Sequence, residues 1–208
     1  MRKKIVGILI LMLLIITDLP LSVSAGDPEH PEIIDDERDV IIPRPNVLNI
    51  FTTLKIIKMD SLDFLDIYAA WFFENPTKPE YLFASIKLKD LTFTNQRVIY
   101  SLYWTYNSFD MSAYVHVLSY GEYALFVALN DNWGVSYRIN GSFDIELNLV
   151  IFEIPKTMIG NPNPGDSIVT PSAWAGLRLN RESFLTAILF GELALDYTGA
   201  GENYIIQY

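Results

Sequence analysis

The sequence predicts an all-β domain built as an antiparallel, jelly-roll-like two-sheet sandwich. Three observations lead there. From Asn46 onward the chain falls into short runs rich in Val, Ile, Tyr, Phe and Trp, residues that fit a pleated, half-buried surface. Clusters of Asn, Asp, Gly and Pro separate these runs at intervals of roughly eight to twelve residues, as turns do. No alternation with helical segments is visible, so a parallel sheet with crossover helices is not expected.

The elements follow in chain order. Residues 1–25 read as a secretion signal: Arg2, Lys3 and Lys4, then a nearly all-aliphatic stretch from Ile5 to Ile16, then Ser22-Val23-Ser24-Ala25 as the small-residue exit. The aliphatic stretch is shorter than the ~20 residues a spanning helix needs, so export without a transmembrane segment is expected. Residues 26–45 carry seven carboxylates, two arginines and four prolines, and are expected to form a disordered acidic tether. The sandwich is expected from 46 to 208. Leu65 to Phe73 is apolar on both faces, which suits a central strand. Tyr81 to Leu91 alternates Leu82, Ala84, Ile86 and Leu88 with Ser85, Lys87 and Lys89, the period of two of a half-buried strand. Val98 to Asn107 places Tyr100, Leu102, Trp104 and Tyr106 on one face. Runs at Tyr114–Tyr120, Glu122–Leu129, Gly134–Asn140, Phe143–Ile154 and Ala173–Leu179 continue the series, and Tyr204–Tyr208 looks like a last strand. Asn140-Gly141 carries the strongest hairpin signal, because a type I′ turn needs positive φ at both central residues. With Ser142 it also forms an N-glycosylation sequon. Gly191 favours strands over a helix in Arg181–Leu195.

Composition excludes several functions. The chain has no cysteine, which removes disulfides, Cys-ligated zinc, iron–sulfur clusters and thiol nucleophiles. A formal net charge of −10 argues against nucleic-acid binding, which takes clustered Lys and Arg. Acyl transfer lacks a G-x-S-x-G motif, and Asp144, Glu146 and Glu153 alternate with Phe143, Ile145 and Leu147 as an ordinary solvent face does. A non-enzymatic role is expected.

Particular residues suggest a family. Leu65-Asp66-Ile67 leads into an aromatic strand, an acidic loop and Tyr81-Leu82-Phe83; later come Ile154-Pro155-Lys156, Ile159-Gly160-Asn161-Pro162, Gly165-Asp166, and Asp196-Tyr197-Thr198-Gly199 with Tyr204. This order resembles the DOMON-type and family-nine carbohydrate-binding-like modules of exported archaeal or bacterial proteins, over about residues 60 to 208. The resemblance implies a jelly-roll-like sandwich that binds sugars or haem, sometimes with structural calcium. Haem ligation would call on His116 with Met111, Met158 or Met59, whereas a histidine between Val115 and Val117 also reads as structural.

A sugar site needs flat apolar faces to stack on pyranose C–H groups and polar groups for the hydroxyls. Trp104 with Tyr106, Trp133 behind Asn132, and Trp174 with Arg178 are the candidate ligand-binding residues; core packing is the competing reading of the same aromatics. Trp71 is expected in the core. Calcium could bridge Asp60, Asp63 or Asp66 with Asp196, while turn-capping carboxylates explain the same residues; no other cofactor is expected and no metal ligands are assigned. The expectation is a secreted or cell-surface binding module whose partner is a carbohydrate, or a surface glycan or protein, with a purely structural interaction domain and a haem-binding redox module as alternatives.

Overall fold

A computed structural model of the chain describes residues 28–37, 39–41, 62–93, 97–121, 123–130, 134–178 and 194–208. It is the expected β-sandwich. One sheet has five strands in the order β1-β2-β3-β9-β8, formed by Ile33–Ile34, Ile67–Phe73, Tyr81–Leu88, Leu149–Pro155 and Asn140–Asp144. The other runs β11-β10-β4-β5-β6-β7, formed by Ala194–Tyr197, Ser167–Arg178, Arg97–Tyr106, Phe109–Leu118, Tyr123–Asn130 and Val135–Arg138; β12 (Tyr204–Ile205) also pairs with β10. All pairings are antiparallel. Among the described residues no helix is long and apolar enough to cross a membrane.

The period of two decides what fills the core. In β9, Val150, Phe152 and Ile154 are fully buried while Leu149, Ile151 and Glu153 are not. In β4, Tyr100, Leu102, Trp104 and Tyr106 point inward, and Phe72 of the facing sheet meets Trp104 edge-on with ring centroids 5.5 Å apart. Tyr100 can be buried because its hydroxyl donates to the Phe64 carbonyl at 2.8 Å.

Three expectations change. Asn140-Gly141 is not a hairpin turn: both residues lie in β8, and Gly141 does not have positive φ. An ideal Cβ there would sit 2.2 Å from the Phe126 ring, so the glycine serves close packing between the sheets. The tight turn is at Asn107 and Ser108, whose φ values of 50° and 65° let β4 fold back onto β5. Phe143–Ile154 is two strands, β8 and β9, joined by residues 145–148, with Asn148 at φ 59°.

The third change concerns the acidic tether. Ile33–Ile34 forms β1 against Ala70 and Ala69, with Ile33 buried, and Glu32 accepts a 2.9 Å hydrogen bond from the Phe72 amide. Ile41 and Leu195 exchange two backbone hydrogen bonds of 2.7 and 2.9 Å. Residues 32–35 therefore extend the five-stranded sheet. Two isoleucines in an acidic stretch are enough, because a sheet edge supplies backbone partners whatever the side chains. Residues 1–27, the expected signal included, lie outside the described residues.

At the opposite end of β2, Glu74 gathers the last residues of the chain. Its carboxylate accepts from Lys156 Nζ at 2.5 Å, from the Tyr204 hydroxyl at 3.0 Å and from the Gln207 amide, while Lys156 also donates to the Tyr208 carbonyl. The Glu74 side chain is fully buried, and this charge is compensated by a cation and several donors.

Candidate functional site

The outer face of the second sheet carries a groove about 430 Å³ in volume, within the range of small-ligand sites. Its construction follows from the register. One row across the strands reads Tyr197, Trp174, Ser101, Tyr114, Val127, Arg138, each opposite the next. The adjacent row reads Leu195, Gly176, Ile99, His116, Leu125. Small Ser101 stands between the large Trp174 and Tyr114, so the middle of the row is low and its sides are aromatic.

Gly176 has a specific part in this. An ideal Cβ on it would lie 2.4 Å from Trp174 Cη2, so the indole can lie flat along β10 only over bare backbone. Tyr103 and Tyr197, 43% and 57% exposed, form an open rim. Both continue into a second depression of about 400 Å³ with Thr105, Asp110, Thr170 and Ser172, where hydroxyls replace rings.

The polar end of the groove is Arg97 and His116. Arg97 Nε and Nη2 lie 3.0 and 2.6 Å from His116 Nδ1. A guanidinium has only donors, so Nδ1 accepts, and the ring is the neutral tautomer with its proton on Nε2. The imidazole is further set edge-on to Tyr114, centroids 5.1 Å apart.

The sequence-predicted residues are distributed as follows. Trp174 lines the groove. Trp104 and Tyr106 are 2% and 5% exposed: the inner face of β4 is core, and its outer face, Ile99, Ser101 and Tyr103, is the one that lines the groove. Tyr106 uses its hydroxyl at the sandwich end, donating to Asp166 at 2.7 Å. Arg178 stands opposite Arg97 in the β10–β4 ladder. Asn132 and Trp133 lie outside the described residues. Trp71 is buried, as expected. Sequence reasoning missed Tyr103, Tyr114 and Tyr197; the missed signal was that Tyr103 and Tyr114 stand among the polar alternate positions of β4 and β5, beside Ser101 and Thr105 and beside Ser112 and His116.

His116 and Met111 are five residues apart in β5 and stand on opposite faces, Met111 in the core, so they do not meet across one pocket. Met158 packs against the core and Met59 is outside the described residues.

The carboxylates near Asp196 are arranged differently from the expected set. Asp63 and Asp66 pair with Lys89 at 3.0 and 3.6 Å. Asp196 instead meets Asp35 and Asp39, with one oxygen of each within 4.8 Å of the others, an all-oxygen donor set of the kind hard cations take. Asp60 is outside the described residues. Asp196 is 1% exposed and its Oδ2 accepts from the Ile67 amide at 2.7 Å. Burial pushes its carboxyl up to about 7, against that hydrogen bond, and the charges of Asp35 and Asp39 add to the rise. Burial, then Asp39, also raises Asp35.

No family model matches the chain, and neither does any curated protein or solved structure.

Proposed function

We propose that the chain is a non-catalytic carbohydrate-binding module whose site is the outer groove of the second sheet. The observation that carries this reading is the row Tyr197, Trp174, Ser101, Tyr114, in which aromatic side chains flank a low polar centre. A pyranose is flat, apolar on its C–H face and polar at its edge. Stacking on Trp174 or Tyr103 would cover the first, and the Ser101 hydroxyl, His116 Nε2–H and Arg97 suit the second. Being shallow and open, the groove fits a polymer lying across the strands better than a small molecule sealed from water.

Catalysis is not part of the proposal, since glycoside hydrolysis takes two carboxylates across a cleft. The candidates for that role are elsewhere: Glu153 pairs with Lys78 at 3.4 Å, and Asp144 accepts from the Leu147 amide in the β8–β9 turn.

The test is a glycan array followed by titration calorimetry with the full chain and Trp174→Ala. Loss of a stacked indole is expected to weaken binding by about tenfold or more, a few kcal/mol at most, with an unchanged circular dichroism spectrum. Binding that survives intact in Trp174→Ala would move the site elsewhere.

A further inference from the structure

The charge of the groove runs against the charge of the chain. Although the protein is at −10, the strands of the seven-stranded sheet hold only two carboxylates, Asp196, buried on the inner side, and Asp110, at the far end of β5 beside Thr105. The cations of those strands are Arg97, Arg138 and Arg178, with no lysine among them. Arg97 and Arg178 are direct partners across the β10–β4 ladder, and Arg138 closes the aromatic row at its β7 end, exposed. By strand spacing, Arg138 is about 10 Å from Tyr114, and Arg97 is about 7 Å along β4 from Ile99. Cations thus flank the aromatic centre on two sides.

Arginine is the informative residue here. Its planar fork matches a carboxylate or sulfate with two parallel hydrogen bonds, which a lysine ammonium cannot do. Arg97 directs Nε and Nη2 at His116, which fixes the plane of the guanidinium, and no described residue bonds its Nη1. A pre-oriented guanidinium beside a stacking surface is costly to build for a neutral sugar, because it must be desolvated without gaining a counter-charge.

We propose that the groove selects acidic saccharides, chains whose rings carry carboxylate or sulfate groups, with Arg97 and Arg138 as the oxyanion contacts and Trp174 as the stacking surface. This rests on the reading of the groove as a saccharide site. An acidic surface elsewhere then works in the same direction, since it repels a polyanion from every face except this one.

The test uses the full chain against polygalacturonate, the same polymer with its carboxyls reduced to alcohols, dextran sulfate and neutral dextran, by calorimetry at low and at 0.5 M salt. Expected are binding to polygalacturonate or dextran sulfate, loss of about tenfold in affinity in Arg97→Gln and again in Arg138→Gln, and weakening by salt. Which of the two polyanions binds distinguishes carboxylate from sulfate. Equal binding of the carboxyl-reduced or neutral polymer would overturn the acidic selectivity and leave the saccharide reading standing. No binding to any polymer would remove both. Polyanion binding that persists in Trp174→Ala would mean simple ion exchange and overturn the proposal. Arg97→Lys, which keeps the charge and loses the fork, should recover less than half of the lost affinity; full recovery would also overturn the assigned contact.

Discussion

The two faces of the seven-stranded sheet are made from the same residue types and use them in opposite ways. On the inner face Trp104 is 2% exposed against Phe72 and its indole N–H has no partner among the described residues; on the outer face Trp174 is partly exposed and lies over Gly176. In β11, neighbouring residues divide the same way: Asp196 is buried and Tyr197 is 57% exposed. The inner face tolerates polar atoms poorly. The outer face collects guanidinium groups, imidazole and phenols around a depression. What separates them is the facing sheet, which covers one side and leaves the other open.

Truncating each side should therefore have unequal effects, largest in the core. Trp104→Ala is expected to cost about 3–5 kcal/mol by cavity formation, measured by denaturant unfolding. Trp104→Phe should cost clearly less, because the indole N–H it removes has no hydrogen-bond partner among the described residues. Equal losses in the two variants would mean that the N–H has a partner and that this face is more polar than described.

The buried carboxylates give the next effect. Asp196 and Glu32 are both raised to about 7 by burial, from 3.8 and 4.5. A raised carboxyl pKa means the folded chain binds protons more tightly than the unfolded one, so stability is greatest below about pH 4 to 5 for these groups and is lost as pH rises through about 7. The melting temperature should fall by a few degrees between pH 5 and pH 8, and Asp196→Asn should flatten its share of that slope. A slope of the opposite sign would show that Asp196 has a cation partner as Glu74 does.

Gly176→Ala should have the smallest effect on stability, about 1 kcal/mol or less, because the colliding atoms are the far end of a side chain that can turn. The groove should nevertheless change. Tryptophan emission is expected to shift to the red and affinity to drop; an unshifted spectrum would show that the indole does not rest on residue 176.

The sandwich was legible because alternation is a local property. Leu82 to Leu88, Val98 to Tyr106 and the aromatic run ending at Phe73 each reveal a strand without reference to the rest of the chain. Asn140-Gly141 misled because glycine has two uses, positive φ and close approach, and only the position of Phe126 selects the second. The groove was half legible. Trp174 was identified from its alternation with Gly176 and Arg178, but in β4 the set richer in aromatics, Tyr100, Trp104 and Tyr106, is the buried one, and Tyr103 faces out between Ser101 and Thr105, so a choice by aromatic content fell on the core face. Asp35, Asp39 and Asp196 were not legible as a group, being separated by most of the chain.

By itself the sequence determined the fold class, the positions of most strands and the exclusion of thiol chemistry, since each follows from pleat geometry or from the residues present. Only the tertiary structure decided which face of each strand is core, that Ile33 and Ile34 join a sheet, and that three arginine-bearing strand ends frame one aromatic surface. Those outcomes depend on which distant strands become neighbours, and the free energy of such pairing lies in contacts that no local window of the chain contains.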